Sequence, residues 1–411
     1  MTYTDLETGK VMESYQYSYD KNSNITEKTE VNNYPKEDTD KVNETKAYTY
    51  DALGRLTKTV TTDHKNDDKT KTVTYDKAGN RTTVNEVRQY SYDANGNQTD
   101  VKNTKTGQTE SYTYDAENRL SKVSVTDKDG KTAVIQQNRY NGDGQRIQKV
   151  EGSKTTNYYY QDGVVSYTTD GDNSQTSQNL IGTDGNILAT QRYGSDHTDY
   201  LLYHKDIQGS TTSLVKEDGS VDATYQYTDF GQTTINGDNK AENEVCYTGG
   251  IYDQSTGLYY LNARYYNPED GRFVTEDSYR GEVDDPDTGH LYGYCANNPV
   301  NYVDPSGHFA IAVPYLVKLV LAGGTVIYVY YSTWKWHSPK TRYSGRRISH
   351  RTTIFKWIVA RAIRHRIKKY APHETNKTKA NKEKHEKGDA RRNRDQGGEK
   401  KKQKKGWKSR K

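Results

Sequence analysis

Large side chains alternate with small polar ones along short stretches of this chain, and each stretch ends in turn-forming residues. The stretches share the skeleton Y-x-Y-D-x-x-G-[NR], and the clearest copies are YSYDKNSN (17–24), YTYDALGR (48–55), VTYDKAGN (73–80), YSYDANGN (90–97) and YTYDAENR (112–119). Tyrosines two positions apart lie on one face of a strand, where large half-polar rings pack across neighbouring strands. The pattern therefore predicts β-strands that pack through tyrosine and carry no catalytic groups.

The residues after the tyrosines predict a hairpin corner. An acceptor for a type I turn is present in four copies, namely Asp51, Asp76, Asp93 and Asp115. Three residues later comes a residue that tolerates a positive φ, namely Gly54, Gly79, Gly96 or Asn118. The spacing between successive copies varies from 17 to 31 residues, and weaker copies continue at 140–146, 158–163 and 225–231. Constant corners joined by strands of variable length predict one long spiralling antiparallel sheet rather than a solenoid of fixed period.

Two segments beyond position 308 have a different pattern. FAIAVPYLVKLVLAGGTVIYVYY (309–331) is the only long apolar run, and its length and basic flank suit one transmembrane helix. A hydrophobic plug inside a shell is the alternative. RTTIFKWIVARAIRHRIKKY (351–370) has apolar residues at spacings of three and four, which predicts an amphipathic helix suited to a small core, a membrane surface or a nucleic-acid backbone.

Composition and charge divide the chain in two. Only 31% of the residues are hydrophobic and the mean hydropathy is −1.16, which excludes an ordinary large apolar core, yet 38 tyrosines argue against disorder. Residues 309–411 hold 29 Lys and Arg against 6 Asp and Glu, whereas residues 1–308 hold 31 against 49. This break predicts a domain boundary after residue 308, with an acidic region before it and a basic tail behind it.

Cysteine usage and the N-terminus add little chemistry. Cys246 and Cys295 are too few for a disulfide framework and lack metal-ligand spacing, so we expect buried free thiols and neither a metal nor a cofactor. No basic stretch followed by an apolar run is visible at the N-terminus, which gives no sign of a signal peptide. Because Met1 opens directly into repeat-like sequence, we expect a truncated gene or the end of a longer parent.

Two further segments carry a specific resemblance. YDQSTGLYYLNARYYNPEDGRFVTED (252–277) and LYGYCANNPVNYVDPSGH (291–308) resemble the RHS repeat-associated core, the closing segment of RHS/YD-repeat proteins, of wall-associated relatives in Gram-positive bacteria and of the C component of ABC toxin complexes. With the repeats, the resemblance covers about residues 10–308. It implies a mainly β fold, in which a spiralling antiparallel YD-repeat sheet forms a shell that encloses a C-terminal toxin in full-length relatives. Since the repeat region here is short, we expect an open wrap rather than a sealed container.

The expected organisation has four parts. Residues 1–245 are assigned to the repeats, 246–308 to the core, 309–331 to the apolar segment and 332–411 to a basic variable tail that is mostly α or disordered. The resemblance implies a secreted or cell-surface location, with a possible single membrane crossing at 309–331.

The resemblance also implies self-cleavage just after the core by an aspartic-protease-like group. Matched by motif, its members are Arg264, which opens RYYNP, Asp277, which closes GRFVTED, and Asp304 of DPSG. Two carboxylates that share a proton can activate water and donate to the leaving amide, while a nearby arginine tunes their pKa values. The alternative for both aspartates is a turn-capping role before the residue that follows each of them.

Three features depart from the family pattern near this group. Asn267 stands where the family usually has aspartate, and a longer stretch, 278–290, follows Asp277. His308 stands where a small or aliphatic residue is common. These departures leave the predicted fold unchanged and bear on cleavage alone.

The closing stretch, 373–411, predicts binding to a polyanion. It is basic, punctuated by glycine and nearly free of aliphatic residues, and neutralised phosphates release counterions. Within it, His385 and Glu386 lie near Arg391 and Arg394 in sequence. Metal-independent ribonucleases use such a set, with His or Glu as general base and Arg stabilising the phosphorane, and a solvated flexible surface is the alternative.

The sequence as a whole favours the end of an RHS polymorphic toxin. In this hypothesis a non-enzymatic β carrier and a self-cleaving junction precede a basic tail that acts on nucleic acid in competing cells, and a cognate immunity protein is the expected partner. One alternative is a non-toxic cell-surface or membrane-anchored repeat protein. Another is a silent orphan cassette left by recombination.

Overall fold

The computed structural model describes most of residues 1–313. Residues 6–7, 36–40, 64–68, 77–78, 80, 83–86, 183–184, 195–196, 239–240 and 279–289 lie outside the description, and beyond residue 313 it gives only the backbone of 315–322 and 325–331. The chain divides into two units, Met1–Pro339 and Lys340–Lys411, and the description concerns the first.

The repeats form two antiparallel sheets in which each strand pairs with the next one along the chain. The first sheet has six strands, β1 (Thr2–Thr4), β2 (Val11–Tyr19), β3 (Ile25–Asn32), β4 (Val42–Tyr50), β5 (Leu56–Asp63) and β6 (Lys69–Thr72). The second has fourteen, β7 (Arg88–Tyr92), β8 (Gln98–Asn103), β9 (Thr109–Tyr114), β10 (Leu120–Thr126), β11 (Thr132–Tyr140), β12 (Arg146–Glu151), β13 (Lys154–Gln161), β14 (Val164–Thr169), β15 (Gln175–Ile181), β16 (Ile187–Tyr193), β17 (Thr198–Lys205), β18 (Thr211–Lys216), β19 (Val221–Tyr227) and β20 (Thr233–Gly237). This order confirms the predicted mainly β, antiparallel fold.

The segment after the repeats forms a small sheet of its own. Its four strands are β21 (Ile251–Asp253), β22 (Leu258–Leu261), β23 (Arg264–Asn267) and β24 (Arg272–Phe273). Short 3-10 turns at Tyr247–Gly249 and Cys295–Asn297 flank it, and a two-stranded pair follows, β25 (Tyr302–Val303) with β26 (Ile311–Ala312). Cys246 directly precedes the first turn and Cys295 opens the second. Both are buried free thiols, as expected, and burial raises their pKa values.

The fourteen-stranded sheet curves around strand β22. Successive side chains of a strand point to opposite faces. On one face of β22, Leu258 and Tyr260 pack in a cluster with residues of β8 to β10. On the other face, Tyr259 and Leu261 pack in a second cluster with residues of β17 to β19. Because one sheet covers both faces of the same strand, it must wrap around the core segment.

The corners have the geometry that the sequence predicts. In the copy at 112–119, the backbone N–H groups of Glu117 and Arg119 donate to one carboxylate oxygen of Asp115, at 2.9 and 3.0 Å. Asn118 has a φ of 60°, the left-handed conformation expected there. The side chain of Arg119 then returns to Asp115 at 2.7 Å and lies 5.0 Å above the ring of Tyr140 in the next repeat. The aspartate and arginine of the skeleton therefore join one corner to the next.

The second tyrosine of a repeat has a role beyond ring packing. Its hydroxyl donates a hydrogen bond to the backbone carbonyl of the first residue of a neighbouring strand. The contact recurs at 2.6 to 2.7 Å in six pairs, Tyr50 to Ile25, Tyr75 to Leu56, Tyr114 to Gln98, Tyr140 to Leu120, Tyr160 to Arg146 and Tyr227 to Thr211. The phenol thus satisfies a carbonyl at the strand end while its ring stays half-buried.

The expected transmembrane helix at 309–331 is wrong. The backbone there forms two paired antiparallel strands, β27 (Tyr315–Ala322) and β28 (Thr325–Tyr331). The run is rich in valine and tyrosine, residue types that favour strands, and its length alone suggested a helix. Among the residues that the structure describes, no helix is long and apolar enough to cross a membrane.

Candidate functional site

Three short elements of the core bring Arg264, Asp277 and Asp304 to one place. Arg264 opens β23, which pairs with β22 on one side and β24 on the other. Asp277 follows β24, and its backbone N–H donates to the carbonyl of Leu291 at 2.9 Å. Asp304 directly follows β25. All three residues are buried, so the site lies within the protein at the edge of the core sheet.

The guanidinium of Arg264 contacts both carboxylates. Its Nη2 lies 2.7 Å from Oδ2 of Asp277 and 3.9 Å from Oδ2 of Asp304. The guanidinium carbon lies 3.6 Å from the centre of the Phe273 ring, a cation–π contact. Burial lowers the pKa of Arg264 below its ordinary value, and the two carboxylates offset part of that effect. The guanidinium of Arg264 stays charged in such a setting, so a single cation lies next to both carboxylates.

Asp304 and Arg264 also hold the backbone that leaves the core. Oδ1 of Asp304 accepts hydrogen bonds from the backbone N–H groups of His308 and Phe309, each at 3.1 Å. Nε of Arg264 donates to the carbonyl oxygen of Gly307, and its Nη1 donates to the carbonyl of Leu291 at 3.0 Å. The peptide unit between Gly307 and His308 is therefore held at its oxygen by the arginine and at its nitrogen by the aspartate.

Gly307 makes this close approach possible. Its φ of +74° is a conformation that favours glycine. A Cβ atom at this position would lie 2.5 Å from the carbonyl oxygen of Leu261 and 3.0 Å from the backbone nitrogen of Arg264. Since both neighbours are backbone atoms of the core, the glycine of DPSGH fixes the path of the chain past the arginine.

His308 reaches the same group of charges, which sequence reasoning did not predict. Its Nδ1 lies 3.3 Å from Oδ1 of Asp277, and its side chain is 36% exposed. The sequence marked His308 only as a departure from a family pattern. Its contact with Asp277 spans 31 residues and depends on the tertiary fold, so no local signal could reveal it.

The other predicted positions lie apart from this group or outside the described residues. Asn267 is at the far end of β23, where its side chain accepts from the N–H of Glu269 at 3.0 Å and donates to Asp270 at 2.9 Å. This departure therefore affects a turn and not the charged group. The inserted stretch is outside the description from 279 to 289. The predicted helix at 351–370 and the set His385, Glu386, Arg391 and Arg394 also lie outside the described residues.

A second buried charge cluster, which the sequence did not indicate, ties the repeats to the core. Arg146 of β12 and Asp253 of β21 form a fully buried ion pair at 2.5 Å. Lys149 lies 3.2 Å from the same carboxylate and 2.7 Å from Glu244. Although burial opposes it, Arg146 and Lys149 hold the pKa of Asp253 below its ordinary value. Arg146 and Lys149 of the repeats both contact Asp253 of the core. We therefore assign this cluster the role of joining shell and core.

Comparisons with known proteins agree with this architecture. The family model described as teneurin YD-shell matches residues 4–300. Among curated proteins, the tRNA3(Ser)-specific nuclease WapA of Bacillus spizizenii and the tRNA nuclease WapA of Bacillus subtilis (strain 168) are each 36% identical over 258 residues, which is 61% of this chain and 10% of each relative. The chain thus spans about a tenth of the length of these relatives.

Among solved structures, the crystal structure of TcdB2-TccC3-Cdc42 is similar, with a TM-score of 0.53 and 19% identity over 75% of this chain and 17% of that one. At this identity the likeness concerns the fold alone.

Proposed function

Because this chain belongs to the teneurin YD-shell family, we propose that it is the closing part of an RHS polymorphic toxin. Residues 1–245 and 246–308 serve as carrier and junction, and the basic tail at 332–411 is the effector that acts on nucleic acid. Two relatives that share 36% identity with the chain are named as tRNA nucleases, which supports this proposal. The net positive charge of the tail fits a phosphate backbone as its target.

The carrier role is supported by the way the repeats surround other parts of the chain. The large sheet wraps both faces of β22, and a cavity of about 420 Å³ lies between the six-stranded sheet and strands near β18 to β20. Its wall includes Lys28, Glu30, Lys46 and Asp206 together with tyrosines. The wall of this cavity therefore presents charges of both signs together with aromatic surface.

The junction role rests on one observation, that Arg264 and Asp304 hold the peptide groups next to His308 from opposite sides. In the proposed hydrolysis Asp277 accepts a proton from water, and the resulting hydroxide adds to the carbonyl carbon of the peptide. The C–N bond then breaks as protonated Asp304 gives its proton to the leaving nitrogen. One water is consumed, and a new carboxylate and a new amino group are formed.

The bond that is cut is one of the two peptide bonds of His308. Oδ1 of Asp304 accepts hydrogen bonds from the backbone N–H groups of both His308 and Phe309, so the carboxyl group lies within reach of either leaving nitrogen. Arg264 donates to the carbonyl oxygen of Gly307, where it would stabilise an oxyanion. Cleavage here would separate the acidic carrier from the basic tail at the charge boundary that the sequence predicts.

Intact mass measurement of the purified chain tests the junction. The wild-type protein should yield two fragments, with the cut on one side of His308, whereas Asp304→Asn and Asp277→Asn should remain one chain. Asparagine at 304 retains an oxygen that can accept the two backbone hydrogen bonds, so its circular dichroism spectrum should match that of wild type. Asp129→Asn, at an exposed carboxylate, is the control and should be cut normally. If wild type and Asp304→Asn are both uncut and folded, Asp304 only caps the turn.

The remaining parts of the proposal concern the setting in which the protein acts. From the likeness to RHS proteins we expect this protein to act outside the producing cell or on its surface. An effector that attacks nucleic acid also requires protection of its producer. We therefore expect a cognate immunity protein that binds the tail. A small gene directly downstream, whose product rescues cells that express the tail, would support this partner, and rescue by unrelated acidic proteins alone would count against it.

A further inference from the structure

The proposed cut falls in the loop of a small hairpin. Strand β25 precedes this loop and β26 follows it, and the two pair in antiparallel order with Tyr302 opposite Ala312 and Val303 opposite Ile311. Both peptide bonds of His308 lie in the loop between the two strands. A cut at either bond therefore leaves β25 near the end of the carrier fragment and β26 near the start of the tail fragment.

Val313 extends this pairing by one residue on the tail side of the cut. Its backbone N–H donates to the carbonyl of Asn301 at 2.8 Å, next to the pair that Tyr302 forms. Its side chain is only 7% exposed, whereas Phe309 and Ile311 of the same segment are 47% and 38% exposed. The tail side is therefore buried at Val313 and not at the residues next to the cut.

Asn301, which receives the N–H of Val313, is itself fixed to the rest of the carrier. Its Oδ1 accepts a hydrogen bond from the backbone N–H of Ile25 in β3 at 2.6 Å, and its Nδ2 donates to Oδ1 of Asn298 at 2.8 Å. Asn301 thus contacts the first repeat sheet, the core and the tail side of the cut. The contacts with Ile25 and Asn298 involve only residues before the cut, so the cut leaves them in place.

We propose that residues 301–303 form a docking site that keeps residues 311–313, near the start of the tail fragment, bound to the carrier after the cut. The inference rests on the proposed self-cleavage and adds that cutting and release are separate steps. The occupant is a segment of this chain, which the fold has already placed in the site before the cut is made. Because a strand pair this short is marginally stable by itself, local unfolding opens the site and lets the tail leave.

Two other causes of retention predict different behaviour. Residues 1–308 are acidic and residues 309–411 are basic, so the fragments attract each other by charge. That attraction is screened by salt, because the Debye length falls from about 10 Å at 0.1 M to about 3 Å at 1 M ionic strength. Enclosure of the tail by the repeats would hold it whatever residue stands at position 313. The docking site predicts retention that persists in salt and depends on Val313.

Two substitutions of the same kind test the site. Val313→Asp places an unpaired carboxylate at a buried position, which opposes docking. Ile311→Asp adds the same charge two residues earlier, at a side chain that is 38% exposed, and is the matched control. Both variants retain Arg264, Asp277 and Asp304, so the cut itself should proceed as in wild type.

The experiment measures whether the two fragments of the full chain stay together. A denaturing gel gives the fraction of chain that is cut, and size-exclusion chromatography in about 1 M salt gives the fraction of tail fragment that elutes alone. The fragments of wild type and of Ile311→Asp should elute together in this salt and separately in urea. Val313→Asp should be cut to the same extent, and its ratio of free to bound tail fragment should be at least about tenfold higher than that of wild type.

The outcomes separate this inference from the function on which it rests. If Val313→Asp is cut and its fragments elute together as in wild type, another contact holds the tail and the docking site is wrong, although the junction still cleaves itself. Free fragments from cut wild type in about 1 M salt would also overturn the docking site.

An uncut wild-type chain would contradict the self-cleaving junction and not the docking site. The loop is then opened by an added protease, whose recognition sequence is inserted between the exposed residues Phe309 and Ala310. The same columns compare this chain with and without Val313→Asp. Joint elution that is lost with Val313→Asp supports the docking site without self-cleavage, and equal elution of the two chains rules it out.

Discussion

The hydroxyl of Tyr140, at the end of β11, donates to the backbone carbonyl of Leu120, at the start of β10, at a distance of 2.6 Å. The contact joins the end of β11 to the start of β10, where the ladder between β10 and β9 shifts its register between Leu120 and Lys122. The amide of Asn138 donates to the same carbonyl at 3.1 Å. Tyr140 is therefore one of two side-chain donors that satisfy a carbonyl at a break in the ladder.

Removing this hydroxyl should have a measurable but moderate effect. Tyr140→Phe keeps the ring, and Asn138 still satisfies the carbonyl, so we expect a loss of about 1 kcal/mol in the free energy of unfolding. Urea unfolding of the full chain, followed by near-ultraviolet circular dichroism, measures the change. Tyr200→Phe is the control, because Tyr200 is 46% exposed, and it should change stability by less than about 0.5 kcal/mol. Equal effects of the two substitutions would contradict a specific role for the contact.

The buried pair of Arg146 and Asp253 predicts a larger effect. Asp253→Asn would leave the fully buried cation of Arg146 without its counter-charge, which costs about 3 to 5 kcal/mol. Asp129→Asn removes a carboxylate of an exposed pair with Lys128 and should cost less than about 1 kcal/mol. The same urea titration compares them. A value for Asp253→Asn close to that of the exposed control would show that the cluster contributes little to joining shell and core.

The same cluster predicts how stability depends on pH. Against the effect of burial, nearby cations hold the pKa values of Asp253 and Glu244 below their ordinary values. Such carboxylates contribute stability above the pKa of the unfolded chain, about 4, and lose it as the pH falls through their folded pKa values. The midpoint of thermal unfolding should therefore fall steeply below about pH 4. Asp253→Asn should show a shallower fall, and an identical slope would contradict the assignment.

The sequence predicted the features that depend on neighbours within one repeat. Asp115 and Asn118 lie three residues apart, so the turn chemistry and the positive φ follow from the local sequence alone. The antiparallel order follows as well, because corners of this kind join adjacent strands. The repeated tyrosines predicted strands that pack through their rings. The contact between a tyrosine hydroxyl and the preceding strand depends on the register of the sheet. The pattern of residues does not specify that register.

The features that the sequence did not predict depend on distant partners. Arg146 and Asp253 are 107 residues apart, and no spacing rule connects a repeat to the core at that distance. The three residues matched by motif, Arg264, Asp277 and Asp304, do come together, but only the family resemblance connected them. At 309–331 length and hydropathy predicted a helix, whereas the valines and tyrosines of the same run favour the strands that form.

Gly307 allows a test that separates backbone strain from steric exclusion. Gly307→Ala introduces strain at a φ of +74° and a Cβ only 2.5 Å from the carbonyl oxygen of Leu261. Gly130→Ala introduces the same kind of strain at a φ of +83°, with no atom within 4 Å of the added Cβ. Strain alone costs about 1 to 2 kcal/mol. We expect Gly130→Ala to show only this loss in urea unfolding.

Gly307→Ala should in addition displace the junction from Arg264. The fraction of chain cut after a fixed time should fall at least about tenfold, because a shift of about 1 Å at a reacting group can cost a factor of a hundred in rate. Gly130→Ala should be cut as fast as wild type. Normal cutting of Gly307→Ala would show that the close approach of Gly307 to Arg264 is not needed for cleavage.

The last prediction concerns the basic tail, whose proposed activity can be divided into binding and catalysis. Residues 332–411 carry 28 Lys and Arg against 6 Asp and Glu, so they should bind RNA or DNA with little regard to sequence. A protein that contacts six to ten phosphates loses roughly three to five decades of affinity between about 50 and 200 mM salt, and filter binding at a series of salt concentrations measures the slope. Weak dependence on salt would contradict binding through charge.

Catalysis is the more specific claim, and it depends on His385 and Glu386 acting with Arg391 and Arg394 on one phosphate. Expressed inside a bacterium, the tail should then arrest growth and degrade RNA or DNA. His385→Ala should abolish both effects and leave the salt-dependent binding nearly unchanged, because one neutral imidazole contributes little to a net charge of +22. His373→Ala, at a histidine of the same tail outside the proposed set, is the matched control and should remain toxic. Growth arrest with ion leakage and intact nucleic acid would show that the tail acts on membranes and would contradict the proposed catalysis. A harmless tail would contradict the toxin proposal, because binding alone gives no means of attack.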